Sequence, residues 1–177
     1  MVKSPLKNMI PLNSRDLESE FKDVCDFIFN ATRCQALALN KDGCSYLKKG
    51  IQEVLRCFGL KFRPSRISEK AYNWNEENCR KVLSDDDTYK EWYPKRKQFR
   101  PLFLEHIIPL GSLIDQCVKC TTFEDVQQVL SELEFVIILK SEDDLLGEKY
   151  WSKGRETIEN AEKAYQKCGI KLMNINV

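Results

Sequence analysis

Apolar side chains recur along this chain with two different periods, and the switches between them mark its elements. Over residues 14–30, Leu17, Phe21, Val24, Cys25 and Ile28 fall three or four apart, the spacing of one helix face. Leu47, Ile51, Val54, Leu55 and Phe58 repeat that spacing, and Gly59 is placed to stop this second helix. Leu60, Lys61, Phe62 and Arg63 alternate and then meet Pro64, which predicts a short extended segment or edge strand. Ser68 is placed to cap a third helix reaching about residue 83, less regular because Asn73, Asn75 and Asn78 interrupt it. Asp85, Asp86 and Asp87 then mark a turn or a helix start.

Proline resets the pattern downstream. Pro94 and Pro101 argue against a long regular helix over residues 92–104. Residues 102–109 are bulky and apolar apart from Glu105 and His106, and they predict a short strand or hairpin arm ending at Pro109. Residues 112–120 read as helix, and Thr121-x-x-Glu124 has the capping-box form that would open a helix over residues 123–133. Residues 134–140 predict a strand buried on both faces. Ser141 is expected to cap a short helix with Glu142, Asp143 and Asp144 in its first turn, where the helix dipole favours acids. A last helix is expected over residues 152–168, stopped by Gly169 and followed by an alternating strand over residues 170–175. The sum is α+β: helix-rich, with a few short strands. A flexible arm is expected at residues 1–13 and a single globular domain over 14–177, its helical part over 14–90.

Composition narrows the function classes. The chain has 177 residues, a length at which one domain is the default. Hydrophobic residues make up 42% and charged residues 31%, which excludes a disordered chain or a polar linker. With 28 Lys and Arg against 27 Asp and Glu, nucleic acid cannot be held by bulk charge, so any polyanion site has to be a local patch. No apolar run approaches the ~20 residues of a membrane span. Lys3 and Lys7 have no apolar stretch behind them, so no secretory signal is expected. The eight cysteines are accordingly expected to be reduced thiols in a cytoplasmic protein. Cys117-Val118-Lys119-Cys120 is the only CxxC, and with no second pair a structural zinc is not expected there.

The chain has one histidine, and it lies in Glu105-His106-Ile107-Ile108-Pro109. If Glu105 and His106 point to opposite sides of a strand, one could face a metal and the other a water or phosphodiester. A neutral imidazole is suited to taking a proton near pH 7, and a carboxylate is a hard ligand for Mg²⁺ or Mn²⁺. The plainer alternative is a histidine that only hydrogen-bonds within the core. Glu105-His106-Ile107-Ile108-Pro109-Leu110 resembles the first motif of the HNH (ββα-metal) endonucleases, an acid-His-Ile/Val-x-Pro segment on the first strand. The resemblance implies that Glu105 is a metal ligand and His106 the general base that activates water. A weaker echo over residues 137–146 implies Asp144 as the ligand on the following helix, with Glu142 or Asp143 as substitutes. Mg²⁺ or Mn²⁺ would be the cofactor. The chain departs from the family in having no Gly-Gly after Pro109 and no Asn between Pro109 and Ser141. An extra predicted helix also splits the motif, so a divergent ββα-metal core over residues 91–177 could carry a degenerate site.

A second feature is independent of that motif. Lys95, Arg96, Lys97 and Arg100 are packed among Trp92, Tyr93 and Phe99 immediately before the Glu-His segment. Cations beside rigid aromatics offer phosphate contacts and stacking faces, the ingredients of nucleic-acid binding. A solvated, solubilising loop is the plainer reading. No P-loop, GxGxxG, GxSxG or HExxH pattern occurs. The expectation is a metal-dependent endonuclease acting on DNA. The alternatives are a non-catalytic nucleic-acid-binding or regulatory module with a degenerate site, and a helical protein-interaction domain.

Overall fold

A computed structural model describes residues 10–11, 17–37, 41–59, 62–77, 101–150 and 154–175. Two long helices, α1 (Leu17–Leu37) and α2 (Lys41–Gly59), bury the faces that their periodicity marks. Phe21, Cys25 and Ile28 of α1 meet Ile51, Leu55 and Phe58 of α2. Two shorter helices, α4 (Leu110–Cys117) and α5 (Phe123–Leu130), complete this cluster with Leu113, Ile114, Val126 and Leu130. The capping box that opens α5 lies one residue later than the sequence pattern predicts. Thr122 accepts from the Asp125 N–H and Asp125 accepts from the Thr122 N–H, because it is residue 122 that adopts the extended backbone of a cap.

The remaining elements form a small mixed sheet. Its strands are β3 (Arg66–Ser68), β4 (Leu102–His106), β5 (Phe135–Leu139) and β6 (Leu172–Asn174), in the order β4-β5-β3-β6. The β4–β5 and β3–β6 pairs are antiparallel, and β3–β5 is parallel. The molecule is therefore helix-rich α+β, as expected. One face of the sheet carries Leu102, Leu104, Ile137 and Ile67 and packs on Ala71 and Trp74 of α3 (Glu69–Glu77). The other carries Phe103, Val136 and Ile138 and is covered by α6 (Lys140–Tyr150) through Leu146 and by α7 (Ile158–Lys167) through Ala161 and Tyr165. A separate two-stranded ribbon joins β1 (Ile10–Pro11) to β2 (Phe62–Arg63), so part of the expected arm is paired.

Several features differ from expectation. The last helix starts at Ile158, because Gly154 takes a left-handed backbone (φ 89°) and Thr157 supplies the cap to the Asn160 N–H at 3.2 Å. Ser141 lies inside α6 and does not cap it. The Glu142 carboxylate instead reaches back to the Leu139 N–H at 2.9 Å. The central strand β3 has no counterpart in the sequence pattern, since three residues leading straight into a helix carry no readable period.

Gly59 ends α2 where the helical cluster meets the sheet. A Cβ there would lie 2.7 Å from Cε2 of Phe135 on β5 and closer still to Cζ. Gly59→Ala is expected to cost about 1–3 kcal/mol by overpacking. Chemical denaturation checks this, and an unchanged midpoint would mean that the ring has room to move.

Candidate functional site

Alternation along β4 sends its two chemical residues in opposite directions. His106 is paired with Phe135 and Glu105 with Val136, so they lie on opposite faces of the sheet. The His106 ring lies 4.5 Å from the Phe135 ring, and its Nε2 is buried without a hydrogen-bond partner. Burial, reinforced by the positive charges of Arg56 and Arg155, lowers its pKa from the usual value near 6.5 to about 3. An imidazole in this setting is neutral over the ordinary pH range, but Nε2 itself is buried away from solvent.

Glu105 faces α6 and α7. Its Oε1 accepts from Nη1 of Arg155 at 2.9 Å, and Arg155 is itself 3% exposed. Burial raises the Glu105 pKa; the Arg155 charge opposes that rise and the Asp143 charge adds to it. Tyr165 of α7 belongs to the same buried group. Burial and the Glu105 charge push its hydroxyl upward, and the neighbouring Arg155 opposes that rise. Alongside runs a second buried pair. Arg66 of β3 grips Glu134 through Nε (2.8 Å) and Nη2 (3.0 Å), and its Nη1 reaches Glu162 of α7 at 2.9 Å. Ser65 donates to the same Glu134 carboxylate at 2.6 Å.

The three expected helix acids have separate positions. Glu142 is buried, and its Oε2 accepts from Ser68 Oγ at 2.6 Å as well as from the Leu139 N–H. Asp143 is buried and paired with Lys140 Nζ at 2.6 Å, while Asp144 is exposed and meets the same ammonium at 2.6 Å. Of the three, Asp143 is the one whose charge Glu105 senses. Among the described residues, no three His, Cys, Asp or Glu side chains are grouped so that they could hold a metal ion. The residues implied by the resemblance therefore do not fit a divalent ion as they stand. Arg155 engages Glu105, Asp144 faces solvent, and His106 lies across the sheet.

Lys95, Arg96, Lys97, Arg100, Trp92 and Phe99 lie outside the described residues, as do Asp85, Asp86 and Asp87. Cys117 is buried against α1, and burial raises its thiol pKa to about 12. Cys120 donates to the Gln116 carbonyl at 3.4 Å. Both are free thiols, as are Cys25, Cys34, Cys57 and Cys168. No described helix is long and apolar enough to cross a membrane. Sequence reasoning missed Arg155, Tyr165 and the Arg66–Glu134 pair. The one signal available for Arg155 was a cation beside a glycine, in Lys153-Gly154-Arg155, which is also what a solvated turn looks like. No protein-family model, curated protein or solved structure matches this chain.

Proposed function

We propose that this chain is a nucleic-acid-binding module built on a strand–strand–helix unit, with no hydrolytic centre at Glu105 and His106. One observation carries the non-catalytic part: the carboxylate is held by a buried guanidinium on one face of β4, and Nε2 of the imidazole is enclosed on the other. A general base has to reach its water, and a metal ligand has to present free lone pairs. The binding part is supported by the sequence just before β4, where Lys95, Arg96, Lys97 and Arg100 stand among Trp92 and Phe99.

Fluorescence anisotropy with labelled DNA tests this reading. Replacing Lys95, Arg96 and Lys97 together by alanine is expected to weaken binding similarly for all sequences, since phosphate contacts position a protein without reading bases. The slope of log K against log salt should become shallower by up to ~0.9 for each duplex phosphate that is no longer neutralised. An unchanged slope would remove the segment from any nucleic-acid site.

A second reading, a Mg²⁺- or Mn²⁺-dependent DNA endonuclease, is favoured by one observation. The antiparallel pair β4–β5 runs directly into α6, which covers both strands, and Glu105 senses Asp143 on that helix. On that reading His106→Ala abolishes metal-dependent nicking of plasmid DNA while the circular dichroism spectrum is unchanged. The non-catalytic reading expects no nicking from either protein.

A further inference from the structure

We propose that β6 is a self-pairing edge, through which two copies of this chain join their sheets antiparallel about a two-fold axis at Met173. The inference goes beyond the binding reading, which concerns the basic segment, and it is independent of any DNA result.

The hydrogen bonds to β3 fix which way the backbone of β6 points. The Glu69 N–H donates to the Lys171 carbonyl at 2.8 Å, and the Ile175 N–H donates to the Ser65 carbonyl at 2.9 Å. Between these bonds, Met173 stands opposite Ile67 in an antiparallel pair. Alternation therefore turns the backbone groups of Lys171, Met173 and Ile175 toward β3, and it sends the N–H and C=O of Leu172 and Asn174 the other way. β6 is the last strand of its sheet, and among the described residues no strand pairs with that outer side. The ladder runs from Lys171 to Ile175, so the free edge is longer than the regular strand alone. Asn174 is exposed and Leu172 and Met173 are half-buried, which leaves the strand within reach of a partner. Sheets guard such edges with proline, a bulge or charge. Leu172, Met173, Asn174 and Ile175 carry no proline and no charge, and the preceding Lys171 is engaged with Glu69 at 2.9 Å.

A second copy is the occupant because the edge complements itself. With the two-fold at Met173, Leu172 faces Asn174 of the second copy and Asn174 faces Leu172 of the second copy. Each of these pairs exchanges two backbone hydrogen bonds. Met173 then meets its own counterpart at the closer, non-hydrogen-bonded spacing, an apolar pair across the junction. Lys171 falls opposite Ile175 of the second copy, so no like charges are opposed. A net charge of +1 also gives two copies little long-range repulsion. The two four-stranded sheets become one.

Sedimentation equilibrium of the full-length chain tests this. One short strand makes a small, transient interface, so the mean mass is expected to climb from one chain toward two between about 10 μM and 1 mM. Asn174→Pro removes an outward N–H that β3 does not use, a place where a strand tolerates proline. The variant should keep the Tm of the dilute natural chain and associate roughly tenfold more weakly, or worse, because each copy loses a hydrogen bond. Amide exchange in the natural chain gives a second measurement, which decides alone if Asn174→Pro does not fold. The Leu172 and Asn174 amides should exchange more slowly in the concentrated sample, while the Met173 amide, bonded to β3, responds much less. The proposal is overturned if the natural chain stays monomeric up to about 1 mM. It is overturned equally if folded Asn174→Pro associates as well as the natural chain, or if the Leu172 and Asn174 amides exchange alike at both concentrations.

Discussion

Replacing Glu105 by alanine is expected to lower stability by about 3–5 kcal/mol, the cost of removing one partner from a buried ion pair. The charge left behind would be Arg155, which is 3% exposed and already has one unpartnered nitrogen. Its other acidic neighbour, Asp143, is engaged with Lys140 at 2.6 Å and stands on α6, so it cannot simply replace a carboxylate removed from β4. Tyr165 Oη is no substitute, because a neutral hydroxyl balances no charge. Urea unfolding of Glu105→Ala, Arg155→Met and the double variant gives the coupling. Each single change should cost more than the double, because the double leaves nothing charged in the apolar layer between the sheet and α7. If Glu105→Ala costs less than about 1 kcal/mol, the pair is not the strut that its burial indicates.

The pH dependence of stability should carry the signature of His106. Its pKa is near 6.5 in an unfolded chain and is lowered to about 3 in the folded one by burial, with Arg56 and Arg155 adding to the effect. Between those values the unfolded chain binds a proton that the folded chain refuses. Stability therefore rises with pH across this window, and it is lost as pH falls from about 6.5 toward 3. At 1.36 kcal/mol per pH unit the full window corresponds to roughly 4–5 kcal/mol at most. Glu105, whose pKa is raised, works in the opposite sense over part of the acid range. The informative quantity is thus the difference between the natural chain and His106→Leu, each followed by denaturant midpoint against pH. The leucine variant should show a flatter acid limb and be the more acid-resistant of the two. Parallel curves would mean that Nε2 is reached by water after all.

Much of the architecture follows from short-range rules. The 3-4 spacing of Phe21, Cys25 and Ile28, and of Ile51, Leu55 and Phe58, marks the faces that are buried in α1 and α2. The apolar run Phe135–Leu139 is the strand it resembles, and Pro109 separates β4 from α4. These features are legible because each depends on residues within about one helical turn or a few strand positions of one another. Even Gly59, whose stop signal is local, has a second and non-local reason, the Phe135 ring lying against it.

The sequence by itself therefore determined that the chain is helix-rich α+β, which helix faces are apolar, and that Glu105 and His106 share one short extended segment. It could also place a cationic, aromatic stretch immediately before that segment. Only the tertiary structure decided what Glu105 and His106 face. Strand alternation says that neighbours diverge, but what covers each side of β4 depends on Arg155, Tyr165 and Phe135, 50, 60 and 29 positions away. The same holds for the acids of α6. Their spacing in sequence is compatible with a shared ligand set, whereas Ser68, brought in by a parallel strand pair, and Lys140 divide them among separate partners. Side-chain chemistry is written residue by residue. The charge or solvent that each side chain meets is set by long-range packing, which no local period encodes.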